Sequence, residues 1–548
     1  MALCRSTTYY VGTSAASRHI FGFLVLFSGI WLAFLLIQWL ATLPARRHGT
    51  SVRLNGPPRD SFILGVIRQL AKSDDVGLLF EQWSATYGPV FQIPTFFGGW
   101  RTIVCDPKAV NHFYSMERTV YVKSKLSRAV IANLFGHGLL WAEGDTHKRQ
   151  RKALTPAFSI AAIRRLTTVF YDSSYNFETN PTDLRAQWDA TLETSPDGAI
   201  IDVQHCLDGI GIAGFAHDFH SLDGAYSPVA AAFESFSFDG LSFFSNLVFI
   251  LGLRFPLLAY LPFKRNRITA GLHRALSAIA DDILQRSRRE KMSRGRGVDD
   301  SEAGDRSVIG LLQRSLSAEC VACSRHILGY ATTSVSLTVR SLPLNLWWAL
   351  IELARNPFKQ AKLREELVGF GAGDPTYDQL GSGLLPYLDA VVLETLRLHP
   401  PVSESTREAI VDDVLPLREP VTTKSGETVH AIAVTKGSNR AHQERQQEFK
   451  PERWLTLGDG DDPHTVRARE LQGHRHLLTF IDGPRACLGK SFALAEFKAV
   501  LIVLLRNFTY EFPDGPETTI VRRRGLVPRP AVQGQPGANV PLRVRRVE

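Results

Sequence analysis

Near its C-terminal end the chain reads FIDGPRACLGK, beginning at Phe480, and a run of helix formers follows at once: Ser491, Phe492, Ala493, Leu494, Ala495 and Glu496. A lone thiol, Cys487, therefore sits in a tight loop with Gly483, Pro484 and Gly489, close behind Arg485 and just ahead of a helix. The N–H groups of such a loop and the positive end of the helix both favour a thiolate. Two chemistries want a thiolate held this way. A nucleophile would need a His with Asn or Asp to assist it. A haem iron would take the sulfur as its axial ligand and would need cations for its propionates, for which Arg485 is well placed.

The rest of the chain has to frame that loop. With 548 residues and 44% apolar composition it can bury a large core. The net charge of +9 is spread along the sequence, which favours an anionic membrane surface or an acidic protein partner over nucleic acid. The six cysteines, Cys4, Cys105, Cys206, Cys320, Cys323 and Cys487, are sparse and irregular, as suits a reducing compartment. Cys320 and Cys323 form a CxxC without the second pair that a structural zinc site would want.

Residues 20–40, IFGFLVLFSGIWLAFLLIQWL, carry no charge. As a helix they extend about 30 Å, enough to cross a bilayer, and the run is too long for a signal-peptide core. The chain thus divides into a lumenal N-terminus (1–19), a transmembrane anchor (20–42), a Pro-rich hinge (43–62) containing Gly56-Pro57-Pro58, and a globule (63–548) on the cytosolic side. From about 63 to 507 the apolar residues recur at three- and four-residue spacing, so the globule reads as mainly α-helical with small β-sheets. Residues 286–307 read as an exposed charged loop. Residues 240–253 are apolar but short of a span, suited to the core or to a membrane face. Between 414 and 434, Val421, Val429, Ile432 and Val434 around Gly426 read as a hairpin, and the Pro/Gly-rich tail reads as loop with a strand or two.

The loop pattern F-x-x-G-x-R-x-C-x-G, matched at Phe480, Gly483, Arg485, Cys487 and Gly489, resembles the haem-binding loop of the cytochrome P450 family. Other segments agree. LETLRLHPPV holds an E-x-x-R pair, Glu394 and Arg397, and FKPERW supplies Arg453. The resemblance implies that these three form a buried charge cluster behind the haem, with a structural role. In WAEGDTHKRQRKALTPAFS, His147 and Arg151 fall at the spacing of the family's aromatic-x-x-x-Arg element, and Arg407 lies beyond Pro400-Pro401. By resemblance all three meet the propionates with Arg485. ILGYATTSVSLT resembles the oxygen-activation segment: Gly329, Thr332 and Thr333 match, and Ala331 stands where the family has an acid. Thr332 is the implied catalytic residue, passing protons through water.

Two departures stand out. Residues 339–347, VRSLPLNLW, could be removed and their flanks would join smoothly, and Pro343 would break a continuous helix. In KGSNRAHQERQQEFKPERW, the strand and loop that the family carries between Lys-Gly and Asn-Arg are absent. The resemblance implies the cytochrome P450 fold behind an endoplasmic reticulum anchor, haem b as cofactor, and NADPH supplied through an NADPH-cytochrome P450 reductase with cytochrome b5 as an accessory partner. It further implies a fungal-type monooxygenase that inserts one oxygen atom into an apolar substrate such as a terpenoid, a steroid or a polycyclic aromatic. A degenerate haem- or ligand-binding relic is the competing reading, for which Ala331 and the two departures argue.

Overall fold

Helices are the commonest regular elements among the described residues of the computed structural model. It describes residues 52–175, 198–202, 344–455 and 477–547, apart from short breaks at 74, 96–97, 403, 437–438, 443–447, 524–527 and 536, and also residues 28, 29, 31, 192, 267–271 and 274. The labelled helices are α1 (Ile67–Lys72), α2 (Val76–Tyr87), α3 (Pro107–Ser115), α4 (Lys125–Phe135), α5 (Gly144–Leu154), α6 (Ile160–Tyr175), α7 (Pro357–Gly369), α8 (Tyr377–Gly381), α9 (Pro386–Leu398) and α10 (Lys490–Asn507), and a further helical run covers 344–355. Several starts are fixed by side-chain caps. Asp75 accepts from the Gly77 N–H at 2.8 Å ahead of α2, Asp106 accepts from the Ala109 N–H at 2.8 Å ahead of α3, and Thr376 and Gln379 form a capping box on α8.

The strands are β1 (Val90–Pro94), β2 (Trp100–Val104), β3 (Tyr121–Val122), β4 (Ala199–Asp202), β5 (Ser405–Ala409), β6 (Asp413–Thr422), β7 (Thr428–Val434), β8 (Asn439–His442), β9 (Phe508–Glu511), β10 (Ile520–Arg523), β11 (Arg529–Val532) and β12 (Pro541–Arg546). The largest sheet has the order β1-β2-β8-β5-β3, with β2 and β8 parallel and the other pairs antiparallel. The hairpin expected at 414–434 is β6–β7, turning through Gly426 at φ 85° with a bulge between Pro416 and Val421. The tail contributes β11 and β12, the latter pairing with β4 and β9.

The main core gathers the 344–355 helix, α7, α9, α10 and the β4–β12–β9 sheet. α10 is buried nearly all round, from Phe492 to Leu505, as its almost uninterrupted apolar sequence requires. A second cluster joins α3 to the β6–β7 hairpin, and a third packs Phe80 and Trp83 of α2 on β1 and β2.

β8 begins at Asn439, the first residue of the Asn-Arg pair, and its four residues fill the place between β2 and β5. Of residues 339–347, which read as removable, 344–347 are described and are built into the core. Leu344, Leu346 and Trp347 are each under 5% exposed and continue the apolar face of Leu350, Ile351 and Leu353 in the main core.

The proposed anchor lies outside the described residues except at 28, 29 and 31, which are helical. Among the described residues no helix is long and apolar enough to cross a membrane. Residues 240–253, the 286–307 loop, Cys320, Cys323 and the segment holding Gly329, Ala331, Thr332 and Thr333 also lie outside them.

Candidate active site around Cys487

The cysteine loop folds back on itself before α10 begins. The Cys487 N–H donates to the Phe480 carbonyl at 2.7 Å, Ala486 N–H donates to Gly483 at 3.1 Å, and Gly483–Arg485 forms a single 3₁₀ turn. Ile481 turns into the left-handed region at φ 58°, a strained choice for a β-branched residue. Gly483 follows at φ 69°, and any Cβ there would meet the Tyr114 carbonyl oxygen at 2.5 Å. Glycine is thus required twice over, by dihedral and by contact with the end of α3.

Cys487 is an exposed residue, set in a loop whose backbone and neighbours crowd its thiol. Burial is the largest influence on the thiol and pushes it up. The Gly489 N–H, then the charges of Arg151 and Lys490, pull the other way, so the loop supplies the anion-favouring field its sequence promised without outweighing desolvation. Phe480 lies under Lys490, whose Nζ is 5.9 Å from the ring centroid.

Basic side chains converge beside this loop. Arg151 of α5 donates to the Ala486 carbonyl at 2.7 Å, one residue before the cysteine. Arg485 donates to the Ala142 carbonyl at 2.9 Å and pairs with Glu143. Arg407, on β5, donates from Nε to Glu117 Oε1 at 2.7 Å and from Nη1 to the Thr406 carbonyl at 3.0 Å. The same Glu117 oxygen lies 3.8 Å from Arg485 Nε. Crowding of like charges is visible in two neighbours. Lys123 is driven down to about 6 by burial, Arg485 and Arg407, and His147 to about 4 by burial, Lys123 and Arg151.

Away from these, α9 holds Glu394 at zero exposure. Arg397 reaches both its oxygens, at 2.8 and 2.9 Å, and Arg453 reaches Oε1 at 2.9 Å. Trp454 Nε1 donates at 2.9 Å and the Lys450 N–H at 2.8 Å. The sequence reading named the two arginines but missed the tryptophan, although it ends the same FKPERW segment.

Comparison with known proteins gives the frame for this geometry. The family model described as cytochrome P450 matches residues 55–534. The chain belongs to the cytochrome P450 family. It is 49% identical to cytochrome P450 monooxygenase claP of Ampulloclitocybe clavipes over 94% of this chain and 98% of that protein. It is 49% identical to claQ of the same fungus, over 95% and 99%. Cytochrome P450 monooxygenase 128 of Postia placenta is 32% identical over 90% and 92%. This P450 is an enzyme of the same class, mainly helical with small sheets, and its family implies a haem iron cofactor.

The residues of this P450 suit such a group. A haem brings two carboxylates, and the wall around Glu117 and Glu143 carries a surplus of cations in Arg128, Arg407 and Arg485, with Lys123 held largely neutral among them. The Nε of Arg128 is buried with no hydrogen-bond partner, while its guanidinium lies 4.2 Å from the Trp141 ring. Cys487 is the one soft donor in the loop. Sequence reasoning missed Glu117, Glu143 and Lys123, which carry no local pattern; only the tertiary fold brings them to the arginines.

Proposed function

We propose that this P450 is a haem-thiolate monooxygenase of fungal secondary metabolism or xenobiotic oxidation, acting on an apolar organic substrate such as a terpenoid, a steroid or a polycyclic aromatic. Bound haem supplies the oxygen-activating iron. Cys487 would hold that iron through its thiolate, with the Gly489 N–H donating to the sulfur. Hydrogen bonding of that kind spreads the sulfur's charge and tunes the iron it holds. Arg485, Arg407, Arg151 and His147 orient the carboxylate edge, while Phe480, Gly483 and Gly489 shape the loop. Burial keeps His147 neutral at physiological pH, so it acts as a hydrogen-bonding group and not as a cation.

Thr332 is the proton-handling residue of this reading, working through water because Ala331 offers no carboxyl. Glu394, Arg397 and Arg453 take no part in the chemistry and hold the framework. Electrons come from NADPH through a membrane reductase, with cytochrome b5 as accessory donor, and residues 20–42 anchor the enzyme in the endoplasmic reticulum with its globule in the cytosol.

The observation that carries the reading is the lone Cys487 thiol in its tight loop, with a backbone donor to the sulfur, beside a cation-rich wall. Reduced protein under carbon monoxide is expected to give the long-wavelength band of thiolate ligation. Cys487→Ser loses that band and Cys105→Ser keeps it. An unchanged band in Cys487→Ser would sink the assignment.

A further inference from the structure

Glu117 is the unexpected member of this wall. It lies in the tight turn between α3 and β3, fully buried, with its N–H donating to the Tyr114 carbonyl at 3.3 Å. Its Oε1 collects Arg407 through Nε and Nη2 and approaches Arg485, whereas its Oε2 is buried with no hydrogen-bond partner. One oxygen therefore holds Arg407 and lies 3.8 Å from Arg485, although the two arginines come from segments far apart in the chain. The Arg407 Nη1 goes to the Thr406 carbonyl, so Glu117 and that carbonyl fix its plane at two edges, while Arg485 is fixed by the Ala142 carbonyl and Glu143. A carboxylate whose second oxygen is undonated keeps its charge concentrated, and an interior screens it poorly.

We propose that Glu117 is a positioning residue for the cofactor: it aims Arg407, and its buried charge beside Arg407 and Arg485 holds the haem reduction potential below the value those arginines alone would set. The inference rests on the reading of the site as a haem pocket. The sign follows from electrostatics, because a fixed negative charge favours the more positive, oxidised iron over the reduced one. Glu143 repeats the motif on Arg485 with a more exposed carboxylate, 17% against zero, so its influence is weaker.

The test is a spectroelectrochemical titration of the purified, haem-loaded full chain. Glu117→Gln keeps the shape and removes the charge, and its midpoint is expected to move positive. Glu117→Asp keeps the charge and stays near the wild-type midpoint. Haem transfer to an apo-globin acceptor is expected to be faster in Glu117→Ala than in Glu117→Gln, because only alanine removes the acceptor that aims Arg407. An unmoved midpoint in Glu117→Gln, or an equal shift in Glu117→Asp, overturns the proposal. If Glu117→Gln takes up no haem, the double variant Glu117→Gln/Arg407→Gln deletes opposite charges together. Its midpoint is expected near wild type, and a clear shift overturns the proposal. Failure of the haem reading itself looks different, because the wild type would then lack the thiolate band.

Discussion

Two fully buried glutamates in this protein each lie against two arginines, and the two clusters are built differently. Glu394 spends both oxygens: Arg397, Arg453, Trp454 and the Lys450 N–H leave no lone pair facing empty space. Glu117 spends one oxygen on Arg407, near Arg485, and leaves the other undonated, among cations that outnumber the nearby acids. A satisfied cluster has nothing left to bind, so it can only brace the fold. A cluster with spare cations has capacity for a further anion. The difference separates a structural site from a ligand site without reference to which one lies near the cysteine.

The largest effect should come from breaking the closed cluster. Glu394→Ala strands two nearly buried arginines, and chemical denaturation is expected to register a loss of about 3–5 kcal/mol. A loss under about 1 kcal/mol would mean the cluster is not closed.

A third glutamate sharpens the contrast, since among the described residues no cation lies beside it. Burial alone pushes Glu496, on α10, up to about 8. The folded state therefore binds its proton more tightly than the unfolded state does. The stability that proton gives is full below the ordinary carboxylate range, near 4.5, and is lost as pH rises through about 8. Glu496→Gln removes the liability. It is expected to stabilise the protein by about 3 kcal/mol at pH 7, at about 1.4 kcal/mol per pKa unit, and to converge on the wild type toward pH 5. Melts at several pH values that run parallel for the two proteins would refute this. The smallest effect belongs to the neutral donor: Trp454→Phe deletes one hydrogen bond to Glu394 and should cost about 1.5 kcal/mol by denaturation, against a cluster that otherwise stays whole.

What the sequence made legible follows the same divide. The cysteine loop and the E-x-x-R pair are contiguous patterns, so their residues could be named before any fold was known. The β6–β7 hairpin was legible because its residues alternate around a glycine. β1 was not, since all its positions are buried, Gln92 included, and no alternation of apolar and polar residues separates strand from helix. Glu117 was illegible for another reason. Its partner Arg407 lies 290 residues away, and nothing in the turn after α3 announces the pairing. Leu344 to Trp347 were misjudged because joining the flanks on paper ignores the core those side chains fill. Thr332 and the anchor fall outside the described residues.

The short strand β8 gives the large sheet an unusual mechanics. Sheets are ordinarily toughest at the centre, yet here the four-residue β8 is the strand that joins the β1–β2 ribbon to the β5–β3 ribbon. It is a seam, laced parallel on one side and antiparallel on the other. A strap crosses it, the Arg101–Glu404 ion pair at 2.7 Å, from β2 to the residue just ahead of β5. Arg407 rides on the β5 side of that seam, directly opposite Arg440 of β8. Any yielding along the seam therefore tugs on the guanidinium that Glu117 holds, tying the breathing of a sheet to the tension of a grip beside the cysteine.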